Sequence, residues 1–308
     1  MRGMRFAFTK CHGSGNDFPL IDARGITLDD SDWARVARAL ADRDGPVGGD
    51  GLLLLVGGDG GHAFGMRMFN SDGSEAETCL NGLRCVARAG FEALGLKTAR
   101  VKLKTSSADV AREAELAPGV VTIRTIVGPA SLEPMDVGLI GPLSELPSTR
   151  SFTAVAMPNP HLVTFVDTID EAELVALGEY CEAGPALIPG RANVSFVELR
   201  GADLFVRTFE RGVGLTDSCG SAMAASVLAA GLTGSVPIGA QVRVFNKGGL
   251  VRGRADADRM VTISGNATFL YDASVEIDLP DERAQPPEIH ARHEDEAGAW
   301  NAAVAALG

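Results

Sequence analysis

Two cysteines in this chain close near-copies of one phrase. R-M-F-N-S-D-G-S-E-A-E-T-C ends at Cys79, and R-T-F-E-R-G-V-G-L-T-D-S-C ends at Cys219, a constant offset of 140 residues. At that offset Arg67 meets Arg207, Phe69 meets Phe209, Glu77 meets Asp217 and Thr78 meets Ser218. Each copy runs on into small and apolar residues that read as a helix, so each thiol is predicted at a helix N-terminus. There the helix dipole and unpaired amides lower a thiol's pKa from its usual value of about 8.5. One thiol can then be a thiolate while the other keeps its proton, the pair titrating as a coupled unit. A carbon held by such a pair loses its proton to one sulfur and gains one from the other, which inverts it. The same amides suit a carboxylate and would stabilise it as the adjacent carbon gains carbanion character. That stabilisation would stand in for the electron sink of pyridoxal phosphate. The chain has no glycine-rich phosphate loop, and Lys247 in N-K-G-G reads as a turn residue. No cofactor and no metal are expected.

The elements that must hold these thiols follow from the pattern around them. In the first half, strands are predicted over 4–9, 52–56, 64–69, 99–105 and 120–126, with a polar turn at 12–17 and a hairpin turn at 57–62. Helices are predicted over 31–43, capped by Ser31, and over 80–94, stopped by Gly95. A Gly-, Pro- and Ser-rich stretch at 128–150 reads as the crossover. The second half echoes the first. Its strands are predicted at 151–156, 162–166, 194–199, 203–209, 241–246, 260–264 and 268–277, with a turn at 157–161. Its helices are predicted at 170–181 and 220–231. This is an α+β pattern of two pseudo-symmetric domains, each a curved sheet around a helix. It lacks the strict βαβ alternation and G-x-G-x-x-G turn of a dinucleotide fold. Residues 280–308 read as a linker followed by a mobile or weakly helical end.

The 308 residues, 45% of them hydrophobic, are enough for two domains. A net charge of −12 argues against a nucleic-acid partner, which needs a concentrated basic face. No apolar run approaches the ~20 residues that cross a bilayer, and residues 1–15 lack a signal-peptide core. A cytoplasmic protein is expected, with a small-molecule partner, no membrane, and a homodimer compatible with the sequence. Five cysteines without a C-x-x-C pair argue against a disulfide framework or a zinc site. Cys11, Cys85 and Cys181 read as buried core residues.

The chain resembles the diaminopimelate epimerase family, cofactor-independent amino-acid epimerases that use two cysteines. The resemblance runs from about Met4 to about Val275. It is carried by H-G-S-G-N-D-F at 12–18, F-N-S-D-G-S-E at 69–75, C-L-N-G-L-R at 79–84, N-P-H at 159–161, R-A-N at 191–193, E-R-G at 210–212 and C-G-S at 219–221. It implies two α+β domains, each a β-barrel-like sheet around a central helix, with the active site in the cleft between them. The halves would be residues 1–130 with about 268–279, and residues 131–267. It makes Cys79 and Cys219 the base and acid. It places Asn16, Asn70, Asn159, Asn193, Glu210 and Arg211 around the substrate, with Leu80, Asn81, Gly220 and Ser221 at the reacting carboxylate. Such asparagines orient ammonium and carboxylate groups without adding charge, Arg211 can grip a distal carboxylate bidentately, and Glu210 can accept from an ammonium. His161 either orients groups near a thiol or stabilises its turn.

Three positions depart from the family pattern. Leu80 follows the first cysteine where glycine is usual, Ala222 stands where C-G-S-G or C-G-T-G is usual, and Gly51 replaces a glutamine. The last change implies an enlarged pocket at the substrate's distal end. The leading expectation is an isomerase interconverting LL- and meso-diaminopimelate for lysine and cell-wall supply. An epimerase or racemase of another amino acid is the alternative, and a non-catalytic amino-acid-binding relative is the third.

Overall fold

The computed structural model describes residues 3–157 and 159–306. Its helices are α1 (Asp30–Ala41), α2 (Leu80–Leu94), α3 (Pro134–Val137), α4 (Glu171–Glu182), α5 (Gly220–Leu232) and α6 (Glu294–Ala305). The helices expected after the two cysteines are α2 and α5. Every residue of α5 from Gly220 to Ala230 is buried, as is every residue of α2 from Leu80 to Arg88. A helix buried on all sides must be wrapped. α2 is wrapped by Met4–Gly13, Asn16–Asp22, Gly51–Asp59, His62–Asn70, Thr98–Lys102 and Ser107–Glu113. α5 is wrapped by Thr153–Met157, Asn159–Val166, Asn193–Arg200, Asp203–Glu210, Val242–Asn246 and Gly249–Ala255.

The two wrappings repeat strand for strand. Met4–Gly13 runs antiparallel to Asn16–Asp22, which runs parallel to Gly51–Asp59, itself antiparallel to His62–Asn70. His62–Asn70 then runs parallel to Thr98–Lys102, the partner of Ser107–Glu113. The second set follows the same order: Thr153–Met157, Asn159–Val166, Asn193–Arg200, Asp203–Glu210, Val242–Asn246 and Gly249–Ala255. The outer helices repeat too. α1 seats Trp33, Val36 and Leu40 on Phe6, Ile21, Leu54 and Phe69. α4 seats Leu174, Leu177 and Cys181 on Leu162, Val194, Phe196 and Phe209. A fully buried leucine of this kind contributes roughly 1.5–3 kcal/mol.

The repeated arginines explain part of the duplicated phrase. Arg67 bonds Glu75 and, at 2.7 Å, Asp30, the first residue of α1. Arg207 bonds Glu171, the first residue of α4, at 2.8 Å, and Asp217 at 3.3 Å. Each arginine ties a central strand to the start of its outer helix.

The chain divides into one unit of Met1–Thr125 with Ser264–Gly308 and a second of Ile126–Ile263. The crossings fall a few residues before the expected 130 and 268. Strand Thr268–Asp278 returns to the first unit and pairs antiparallel with Met4–Gly13. Of the segment 280–308, expected as linker and mobile or weakly helical end, the helical end is present as α6, while the expected linker is paired into that unit. Arg283–Ala284 and Glu288–Arg292 pair with Thr268–Asp278, and α6 buries Trp300. These contacts are tertiary, and nothing local in the segment announces them.

Other expectations also shift. Asp29, not Ser31, caps α1 by accepting from the Asp32 amide at 2.8 Å. The 12–17 turn shrinks to Ser14–Gly15, both with positive φ, between paired Gly13 and Asn16. That is the backbone a two-residue hairpin loop requires. Where a turn is expected at 157–161, Thr153–Met157 pairs antiparallel with Asn159–Val166; Pro158 lies outside the described residues. Strands Ser107–Glu113 and Gly249–Ala255 were not expected.

Candidate active site

Cys79 occupies the N-cap of α2, with extended backbone, and its Sγ accepts from the Gly82 amide at 3.4 Å. Gly82 has no room for a side chain: a Cβ there would lie 2.6 Å from Leu53. Asn16, immediately after the hairpin turn, lies on the other side, with Oδ1 3.7 Å from Cys79 Sγ. The Asn16 amide nitrogen bonds the Asp50 carboxylate, which fixes Oδ1 toward the thiol. Asn81 Nδ2 reaches the same Oδ1 at 3.4 Å, and Asn81 Oδ1 accepts from Arg84 at 2.9 Å. Cys79, Asn16, Asn81 and Arg84 thus form one connected set at the start of α2.

The hairpin is pressed against that helix start. A Cβ on Gly13 would lie 2.6 Å from the Asn81 carbonyl. Arg84 donates to Ser14 Oγ at 3.0 Å, and Asn266 Oδ1 takes the Ser14 amide at 2.7 Å. His12 accepts the Gly15 amide at 3.2 Å and stands edge-on to Trp300. Burial pushes the His12 pKa down to about 4, so the ring is neutral at pH 7.

In the second unit Cys219 caps α5, and its Sγ lies 3.5 Å from Ser221 Oγ. Burial drives this thiol well above its ordinary value, and the neighbouring Glu210 carboxylate pushes it the same way. The Ser221 hydroxyl and the Ala222 amide pull in the opposite direction. Gly220 is buried in the first turn. His161 is fully buried, 3.1 Å from Asn159 Oδ1 and 3.4 Å from Asn193 Nδ2. Burial, with Arg211 beside it, lowers its pKa to about 3. Asn193 Oδ1 in turn accepts the Arg211 amide at 2.7 Å, and Arg211 Nη1 bonds the Gly190 carbonyl at 3.0 Å. Asn159, His161, Asn193 and Arg211 form a second connected set. The neutral histidine holds both asparagine side chains.

Asn70 stands apart from the Cys79 set. Its amide side chain bonds Ser74 Oγ at 2.9 Å and closes its own turn. Leu80 is buried with its carbonyl toward Arg84, and Ala222 is wholly buried within α5. Gly51 does not open a pocket, contrary to expectation. A Cβ there would lie 2.3 Å from the Phe69 carbonyl, so the partner strand already fills the space. Cys11, Cys85 and Cys181 are free and buried.

Asp50, His12 and Arg84 escaped the sequence reading. Arg84 carried the clearest signal, a lone cation inside the apolar run L-R-C-V.

The family model described as "Diaminopimelate epimerase" matches residues 8–125 and 153–270, once in each unit. A diaminopimelate epimerase of Clostridium acetobutylicum is 36% identical over 284 residues, covering 87% of this chain and 85% of its own length. One from Listeria monocytogenes is 38% identical over 290 residues, covering 87% and 88%. Among solved structures, a hydroxyproline epimerase from Agrobacterium vitis superposes with a TM-score of 0.62 at 16% identity, covering 99% of this chain and 100% of that one. That likeness concerns the fold alone. With a cysteine-capped central helix in each half and the family model matched twice, the chain belongs to the diaminopimelate epimerase family.

Proposed function

We propose that this protein is an isomerase that interconverts LL- and meso-diaminopimelate by proton transfer at the α-carbon, with Cys79 and Cys219 as base and acid. The carrying observation is the pair of cysteines, each at the N-cap position of a buried helix, in a chain whose relatives across most of its length are named diaminopimelate epimerases. The chemistry needs no cofactor in this reading. One sulfur removes the proton while first-turn amides meet the substrate carboxylate, and the other sulfur returns a proton to the opposite face. Asn16, Asn81, Asn159, Asn193 and Arg211 would orient the ammonium and carboxylate groups. No helix of the described residues is long and apolar enough to cross a membrane, and we place the activity in the cytoplasm, where amino-acid supply occurs.

Incubation with LL-diaminopimelate in deuterated water is expected to label the α-carbon and form the meso isomer. Cys79→Ser and Cys219→Ser should each lower turnover by about 10²–10⁴-fold. Labelling of other amino acids but not diaminopimelate would move the assignment to a different substrate. Amino-acid binding without any exchange would leave only a binding protein.

A further inference from the structure

Two pieces of chain meet at the Cys79 sulfur. One is the start of α2, and the other is the Ser14–Gly15 turn that delivers Asn16 Oδ1 to within 3.7 Å. The turn is strained. Ser14 is buried and holds a φ of 53°, in the left-handed region that glycine prefers. Its surroundings keep it there. Asn266 takes the Ser14 amide, Arg84 donates to Ser14 Oγ, and His12 Nδ1 takes the Gly15 amide.

Helix α6 lies beyond residue 270, where the family match ends, and it touches both pieces. Glu296 and Trp300 are four residues apart, so they share one face of that helix. Glu296 accepts from Nη1 and Nη2 of Arg88, a bidentate pair that grips α2. Its Oε2 also takes the Phe269 amide at 3.3 Å, and the Arg88 guanidinium lies 3.8 Å over the Phe269 ring. One turn further along α6, Trp300 is buried edge-on against the His12 ring at 5.7 Å. That ring is the one that takes the Gly15 amide, and Asn266 Nδ2 stands 3.3 Å from the same Nδ1.

One helix face thus holds α2 at Arg88 and backs the residue that anchors the turn. A bulky ring packed behind His12 opposes its retreat. A bidentate ion pair with a buried arginine opposes rotation of α6 about that contact. The spacing between the helix start and the turn, which neither piece fixes alone, is set by the helix that spans both.

We propose that α6 is a brace for the Cys79 half of the site, with Trp300 and Glu296 as positioning residues that keep Asn16 beside the thiol. Neither touches substrate in this scheme. The role in turnover rests on the two-thiol reading above; the brace itself does not.

The test reads the cysteines one by one, without substrate. Wild-type, Trp300→Ala, Trp300→Phe and Glu296→Gln proteins are treated briefly with iodoacetamide at one pH, and labelling at each cysteine is quantified by peptide mass spectrometry. In Trp300→Ala, labelling of Cys79 is expected to rise about threefold or more as the turn lifts away. Cys85 on the same helix and Cys219 in the other unit should stay as in wild type. Trp300→Phe keeps a flat ring behind His12 and should stay near wild type, whereas Glu296→Gln should also raise Cys79 labelling. Unchanged Cys79 labelling in a folded Trp300→Ala overturns the proposal. So does a rise at Cys85 alongside Cys79, because that pattern reports a loosened core. If Trp300→Ala does not fold, Glu296→Gln decides by the same pattern. With LL-diaminopimelate in deuterated water, kcat in Trp300→Ala should fall about tenfold and return in Trp300→Phe. A wild-type kcat in Trp300→Ala overturns the positioning role. If the wild-type protein exchanges no diaminopimelate, the proposed activity fails, and the labelling pattern alone decides whether α6 is a brace.

Discussion

His12 and His161 show how single buried residues set the acid limit of this protein. Both are neutral in the folded state, with pKa values lowered to about 4 and about 3. In the unfolded chain each would bind a proton near its ordinary value of about 6.5. Below that value the unfolded state holds more protons, so stability falls with decreasing pH until the folded pKa values are reached. Each histidine contributes up to about 1.4 kcal/mol per pH unit in that window. Urea unfolding at pH 7, 6, 5 and 4.5 should therefore show a steady loss. His161→Gln should flatten the slope, and an unchanged slope would refute the assignment. Residues of this kind were only partly legible beforehand. His161 stood out through its N-P-H motif, whereas His12 looked like a turn residue because the groups packed on it, Asn266 and Trp300 among them, are distant in sequence.

The helices are the scale at which local signals and tertiary packing meet. α2 was readable end to end, since Cys79 caps it and Gly95 stops it in a left-handed conformation with φ 68°. α1 was readable as an amphipathic helix, but its cap was misplaced by two residues because Asp29 and Ser31 are both good caps. Strands Ser107–Glu113 and Gly249–Ala255 were invisible for a physical reason. The first alternates charged and small residues, and the second is glycine- and arginine-rich, so neighbouring strands rather than propensity define them. The outer helices carry their own tight joints. A Cβ on Gly178 of α4 would lie 2.2 Å from the Phe209 ring, which is packed in the second core. Gly178→Ala should destabilise the protein by about 1–3 kcal/mol through overpacking, despite alanine's better helix propensity. A thermal melt that matches or exceeds wild type would show that Phe209 yields freely.

At the level of the whole chain, the segment beyond residue 280 yields the helical end its pattern allowed, α6, but its strand pairing and packing were anticipated by neither the family model nor the sequence pattern. The family match stops at residue 270. Thr268–Asp278 has one side on Met4–Gly13, and the segment covers the other with Arg283–Ala284 and Glu288–Arg292. The covering strand Glu288–Arg292 is exposed at every position and carries Glu288, His290 and Arg292, a charged edge of the kind that resists further pairing. Ending the chain at Leu279 would trade that edge for the half-buried flank of Thr268–Asp278. Light scattering on the shortened protein should show self-association beyond that of the full chain. Equal masses would mean the edge is harmless.

The same segment places an indole where it can be watched. The chain has two tryptophans, Trp33 in α1 and Trp300 in α6, and the latter meets the His12 ring at 5.7 Å. In a Trp33→Phe protein a single fluorophore would remain, at the seam between the C-terminal arm and the loop that carries Asn16. Its emission wavelength then becomes an optical gauge of whether that arm is seated during turnover.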